Sequence, residues 1–423
     1  MRNLSITRPL LGLLLSAPLA LTACKNDEGG TAGESTADPK AQTAAPSTDK
    51  VGKIAGKIPG APDLVDKAKD LKATAEGMAK EGASLTLDQY EALLVGLSAC
   101  QVDDRGIDRK CEAWAKYNEA RKNRRDLIKA AGGGLSNLGK KHISHESPAV
   151  RLQAATLMGS LFGASQESQQ AIVDAAKKET VPGVLKAMLR TVSSSISKNP
   201  AVLALMMQYT SHENAQVRKE VVSALTSSWS KGTEGTLEKA MQMVEKDADE
   251  DVRRYGCSRL GARGDERALP LLEKLTADAS KDPRLYADCM RGLIGMWSSP
   301  IVHDAPSKKA YELTLKRLKQ TPRSEHMPAW ASLSSMMWAK NDKFQQRADW
   351  FKKDELLTAL SEIVKDRGAY WMARTSAVDT MKELGADKPM LETLKATYAD
   401  AKDKPGQDKH VLDKIEKALS ASK

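Results

Sequence analysis

The chain has 423 residues, more than one globular core usually organises, so several units or a repeat array are expected. Hydrophobic residues make up 41% and charged residues 28%, aromatics stay at 4%, and no sustained alternating run of Val, Ile, Thr and aromatics occurs, which argues against a strand-built body. The formal net charge of +10 becomes +8 if Arg2 and Arg8 leave with the N-terminal segment; it is spread along the sequence and suits anionic partners such as phospholipid headgroups or acidic polymers.

In chain order, the first element is an address. Arg2 and Arg8 precede an apolar run that includes Leu10, Leu11, Leu13, Leu14, Leu15, Leu19 and Leu21 and is interrupted by Pro9 and Pro18. That run is too short for a membrane span, which needs about 20 apolar residues. It ends in Leu21-Thr22-Ala23-Cys24, which resembles the lipobox of bacterial lipoprotein signal peptides. The resemblance implies a signal peptide over residues 1–23, cleavage after Ala23, and a diacylglyceryl group on the Cys24 thiol. An ordinary secretory signal with an incidental Cys is the alternative. Export sets nucleic acid aside as a partner. Among proteobacterial lipoproteins an Asp after the modified Cys favours the inner membrane. Here Lys25 follows, so in a Gram-negative host the resemblance points to the outer membrane, facing the periplasm. Residues 24–58, rich in Gly, Ser, Thr, Ala and Pro, read as a flexible tether.

A helical region is expected over 59–133. Leu64, Ala68, Leu71, Ala75 and Met78 recur at helical spacing. Thr86-Leu-Asp-Gln89 has capping-box form and opens a second helix reaching about Cys100. A third helix runs from about Cys111 to Ala131 and stops at Gly132-Gly133-Gly134. Its Arg121, Arg124 and Arg125 share one face, either solvated or facing anionic headgroups. With Cys24 modified, four cysteines remain, an even number in an oxidising compartment. Cys100 and Cys111 close and open antiparallel helices, so a disulfide between them is expected, stabilising by about 2–3 kcal/mol through the short loop it closes.

From residue 134 to 300 a repeat emerges. Ser147-Pro-Ala-Val150-Arg151, Asn214-Ala-Gln-Val217-Arg218 and Glu250-Asp-Val252-Arg253 are its clearest copies, with weaker ones at Val184 and Pro283. Taking Val150, Val184, Val217, Val252 and Pro283 as equivalent gives spacings of 34, 33, 35 and 31, the mark of stacked helical pairs. The turn followed by Val-Arg resembles HEAT repeats of the kind found in phycobilisome-lyase-like proteins. The resemblance implies an all-α solenoid of antiparallel helix pairs with an extended concave surface. Ala154, Gly256 and Ala287 provide close helix approach, while Arg151, Arg218, Arg253 and Arg284 are read as a structural ladder to carbonyls or Asp side chains of neighbouring turns. Cys257 and Cys289 fall on equivalent helices of adjacent repeats. They form either a disulfide across the seam or two buried thiols. The helices from 301 to 423 read as divergent repeats, with Met372-Ala-Arg374 still related.

Chemistry was sought along the same path. Gly134 to Lys140 has phosphate-loop spacing, but Lys141 stands where Ser or Thr is needed and a helix precedes it instead of a strand. His142, His145 and Glu146 lie in what reads as a loop ahead of a repeat, and exposed histidines are expected there rather than metal ligands. Ser195–Lys198 and Ser228–Lys231 match Ser-x-x-Lys without its companion motifs. Trp297, Trp330, Trp338, Trp350 and Trp371 crowd the C-terminal third and are read as core or, alternatively, as an aromatic-lined binding surface. No catalytic residue, metal site or cofactor is expected. The expected role is a membrane-anchored envelope scaffold that holds a protein partner in a repeat groove. A module for an envelope polymer or lipid is the alternative, and an enzyme of unrecognised type comes third.

Overall fold

The computed structural model describes residues 85–122, 134–159, 164–298, 305–320, 333, 336, 339–340 and 342–421. All of them belong to one compact unit, Leu64–Lys423. The expected signal peptide, Cys24, the tether and the helix from Pro62 lie outside the described residues, as do Arg124, Arg125, Trp330 and Trp338.

Helix α1 (Leu87–Gly96) starts at the capping box read from the sequence: Gln89 N donates to Thr86 Oγ1 at 3.3 Å and Thr86 N to Gln89 Oε1 at 3.0 Å. It ends sooner than expected, passing through a 3₁₀ turn (Leu97–Ala99) to Cys100. The polar loop that follows is structured. Strands β1 (Val102–Asp103) and β2 (Gly106–Ile107) pair antiparallel, with Asp103 Oδ1 accepting from Arg105 N and Gly106 N across the turn. Helix α2 (Glu112–Lys122) returns, and Cys100 is bonded to Cys111 with 5.7 Å between their Cα atoms. Tyr90, Leu94, Leu97 and Tyr117 of this hairpin pack on Leu135, Leu138, Val150 and Leu157 of the first pair.

The array is built from α3 (Gly134–His142) with α4 (Pro148–Met158), α5 (Gln166–Ala176) with α6 (Pro182–Val192), α7 (Pro200–Gln208) with α8 (Ala215–Leu225), α9 (Thr236–Lys246) with α10 (Glu250–Arg263), and α11 (Leu269–Leu275) with α12 (Pro283–Ser298). The second helices α4, α6, α8, α10 and α12 stack side by side in that order. The chain is an all-α solenoid of antiparallel helix pairs. Val150, Val184, Val217 and Val252 are each the third residue of their helix and fully buried. The fifth equivalent is Leu285 and not Pro283, because Pro283 is a first-turn proline like Pro148 and Pro182.

The seams are tight. A Cβ on Gly256 would meet Val244 and Val222, and one on Gly261 would collide with the Gly292 carbonyl of the next second helix. At that approach Cys257 and Cys289 are bonded, with Cα atoms 4.8 Å apart. Beyond the array, α13 (Lys308–Gln320), α14 (Asp342–Gln345), α15 (Lys353–Lys365), α16 (Trp371–Glu383), α17 (Lys388–Thr397) and α18 (Gln407–Ala421) continue the packing, and the buried core is continuous from Ile143 to Ala418. Among the described residues no helix is long and apolar enough to cross a membrane.

Candidate functional site

Two lines of side chains run across the second helices. The first lies at their N-terminal turns. Arg151 donates through Nη1 to the carbonyls of His145 (2.9 Å) and Glu146 (2.7 Å), and through Nε and Nη2 to both oxygens of Glu179 in the next repeat (2.7 and 2.9 Å). Arg218 repeats this with His212 O (2.8 Å), Glu213 O (2.9 Å) and Asp247 (2.9 and 2.8 Å). Arg253 reaches Asp247 O and Ala248 O at 2.7 and 3.3 Å. The residue six before the ladder position is thus His145, Glu179, His212 and Asp247 in turn. Each imidazole accepts at Nδ1, from Ser147 N and Asn214 N respectively, both at 3.0 Å. The ladder holds turns together, and in Arg151 and Arg218 it leaves the guanidinium donors little capacity for a ligand. Arg284 has no part in it: the corrected register puts Tyr286 at the ladder position and Arg284 on the surface.

The second line faces outward along α6, α8, α10 and α12. Arg190 pairs with Glu220, Lys219 Nζ sits 5.1 Å above the Tyr255 ring, and Arg254 donates to Asp288 at 2.9 Å. Each contact bridges successive helices. These four helices carry ten Lys and Arg against four Asp and Glu. Their partner helices α5, α7, α9 and α11 carry three against five. Arg218 and Arg253 belong to the ladder and Arg263 is buried, which leaves seven cations against four acids on α6, α8, α10 and α12 and makes them the more basic layer of the array.

The stapled hairpin rests on the ridge at one end. Lys186 Nζ donates to Asp104 O at 2.6 Å and Asn214 Nδ2 to Asp104 Oδ2 at 3.1 Å, and a Cβ on Gly183 would collide with Asp103 O. Burial holds the Lys186 ammonium below its usual pKa, with Arg190 adding to the effect.

Other sequence candidates find other places. Gly134 to Lys140 is the body of α3, which also carries His142 as its last residue, so that histidine is helical and buried and not in an exposed loop. Its Nε2 lies 2.6 Å from Glu91 Oε1, and Lys141 Nζ lies at the same distance, so the Lys141 hydrogen bond holds the Glu91 carboxyl below its usual range. Nothing near His142 in sequence announces Glu91, 51 residues upstream. Ser195 and Ser228 offer their carbonyls to Lys198 N and Lys231 N in simple turns. Among the described residues no group of three His, Cys, Asp or Glu is placed to hold a metal. Trp297 is fully buried, donating to Thr314 Oγ1 at 3.0 Å and packed on Tyr311, Phe344 and Phe351. Trp371 stacks near His410. Trp350 is half-buried and lines a cleft of about 590 Å³ between α13 and α15, with Tyr311, Lys308, Lys316, Lys319 and Lys352.

Residues 203–287 match the family model for HEAT repeats. That span runs from within α7 to the first turns of α12 and includes the ladder residues Arg218 and Arg253. Solved structures with a similar course include the karyopherin Kap121p bound to the extreme C-terminus of the protein phosphatase Cdc14p, at 11% identity and TM-score 0.38, covering 90% of this chain and 50% of that one. A multiply substituted Kap121p matches at 11% and 0.38, covering 89% and 49%. The chain therefore spans about half the length of the karyopherins it matches. No curated protein matches it.

Proposed function

We propose that this chain is an envelope scaffold, tethered to a membrane by lipid on Cys24, that presents the basic ridge of α6, α8, α10 and α12 to an acidic face of another protein. The observation behind this reading is the charge balance: with the ladder arginines Arg218 and Arg253 and buried Arg263 set aside, α6, α8, α10 and α12 still carry seven cations against four acids, and their partner helices three against five. Ridge side chains are held by bonds between helices, so little entropy remains to be lost on docking. The test combines Arg190→Glu, Lys219→Glu and Arg254→Glu. Affinity capture from solubilised envelopes should lose a stoichiometric partner while far-ultraviolet dichroism stays unchanged. Retention of the partner by this variant, or by a chain lacking residues 146–300, places the site elsewhere. In the native protein Cys24→Ala should move the chain from the membrane fraction to the soluble one, or leave it as precursor.

A second reading, an envelope polymer bound through its ring faces, is supported by Trp350 and Tyr311 in the α13–α15 cleft, beside four lysines and the glutamates Glu312 and Glu355. Recovery of glycan alone in the same capture supports it over the first.

A further inference from the structure

The loop between α8 and α9 departs from the rest of the surface. Trp229 is 56% exposed, the one large apolar side chain so open among the described residues. Its loop is held rigidly. Ser230 Oγ donates to Leu225 O at 2.7 Å and to Ser227 O at 2.8 Å, and Thr236 Oγ1 donates to Thr233 O at 2.6 Å. Beneath it lies Arg263, the last residue of α10, with no exposed surface. Its Nη1 donates to Ser230 Oγ at 2.8 Å, and its Nη2 donates to Ser230 O at 3.2 Å and Thr236 Oγ1 at 3.1 Å.

Removing a guanidinium from water is costly, and an apolar residue of similar volume would fill the space without that cost. Arg263 Nη1 also donates to Leu225 O at 2.5 Å, so both terminal nitrogens of Arg263 bind the loop that carries Trp229 or the helix ends that flank it. What the guanidinium secures is the position of an exposed indole, and such preorganisation serves binding.

The surroundings of the indole identify the partner. Ser228, Lys231, Gly232 and Glu234 are the exposed neighbours in the loop, and the turn at Ser193–Ser195, packed alongside, leads to exposed Ser197 and Lys198. A protein pocket that seats a Trp anchor is normally completed by further apolar contacts around it. No other large apolar side chain is exposed among the described residues, so that patch is missing here. An indole among Ser, Gly and Lys has the composition of a residue at the boundary between headgroups and water. We infer that Trp229, with Lys198 and Lys231, is a second membrane contact, seating its ring at headgroup level in a bilayer containing anionic lipid. The inference rests on the reading that Cys24 tethers the chain, because a tether makes one weak contact effective by keeping it close to the surface.

The test uses the chain from Lys25 onward, which lacks both Cys24 and the apolar run of residues 10–21, mixed with vesicles of phosphatidylethanolamine and phosphatidylglycerol, with and without brominated acyl chains. Tryptophan emission should be quenched by the brominated lipid. Trp229→Ser should abolish that quenching and lower the partition coefficient about tenfold. Lys231→Gln should lower it about fivefold. Arg263→Met, with Trp229 intact, should weaken partition with little change in far-ultraviolet dichroism. Absence of quenching in the parent protein, or equal quenching in Trp229→Ser, overturns the inference, as does shielding of the indole by a purified envelope protein but not by vesicles. The Trp229 substitution is on the surface, so its result does not depend on refolding a damaged core. The tether itself is read separately, from the mass of the N-terminal peptide of the native protein.

Discussion

Between residues 134 and 298 a few contacts recur: a buried third residue in successive second helices, an arginine spanning to the next repeat in alternate ones (Arg151 and Arg218), and side-chain bridges between neighbouring second helices. After residue 305 the helices still pair, but each junction has its own solution. Trp297 and Tyr311 gather Phe344, Trp350 and Phe351 into one aromatic cluster, and Arg374, almost fully buried, donates to Tyr398 Oη at 3.0 Å and Asp408 Oδ1 at 2.6 Å. A repeated contact divides the work among copies, whereas a unique cluster concentrates it. The array should therefore tolerate single losses better than the C-terminal helices.

The largest expected effect follows from that asymmetry. Trp297→Ala should destabilise by about 3–5 kcal/mol, because a buried indole and its neighbours cannot all collapse into the space. Protection from hydrogen exchange should fall most around α13 and α15. An equal fall across α5–α8 would mean that the two regions unfold as one. The seam between α10 and α12 is the next most sensitive point. Replacing Cys257 and Cys289 with Ser should cost about 2–4 kcal/mol, since the bond closes a loop across 32 residues. Peptide mapping without reduction checks both linkages, and alkylatable Cys100 or a Cys100–Cys257 peptide would contradict them.

A finer comparison lies within the ladder. Arg218→Ala removes a bidentate partner from Asp247, whose side chain is 5% exposed, and should cost about 2–3 kcal/mol by urea unfolding. Arg284→Ala, at a position that resembles it in sequence but lies on the surface, should stay within about 0.5 kcal/mol. Similar losses at both would restore the Pro283 register. The smallest effect concerns acid. Burial holds the His145 imidazole below its usual pKa, with the neighbouring His142 adding to this. The unfolded chain therefore takes up this proton first, at about pH 6.5. The contribution is complete above that value and is lost as pH falls below it. His145→Asn, which keeps an acceptor for Ser147 N, should flatten the unfolding midpoint between about pH 7 and 5.

Much of the array was legible because its signals are local. Capping at Thr86, prolines in the first helical turn and a period near 33 residues all act within one or two turns of chain. The one register error came from matching Pro283 to a valine by spacing, when its kinship with Pro148 and Pro182 marks a helix start. The Arg ladder could be read in outline, since its carbonyl acceptors lie five or six residues upstream. Its carboxylates lie 28 or 29 residues downstream: the expected Asp of a neighbouring turn is Asp247, whereas Glu179 takes that place for Arg151 and was not foreseen.

By itself, then, the sequence determined the helical pairs, their period, the buried third position and a set of cysteines suited to pairing. Each of those follows from interactions within a turn or from a count. Tertiary structure alone decided that Glu91 meets His142, that Asp104 rests on Lys186 and Asn214, that Arg190 and Arg254 bridge to acids of the next second helix, and that Arg263 fixes the loop of Trp229. Those contacts join residues 27 to 110 positions apart. Their partners are chosen by how helices stack, and stacking depends on side-chain volumes summed over many repeats, which no short stretch of sequence contains.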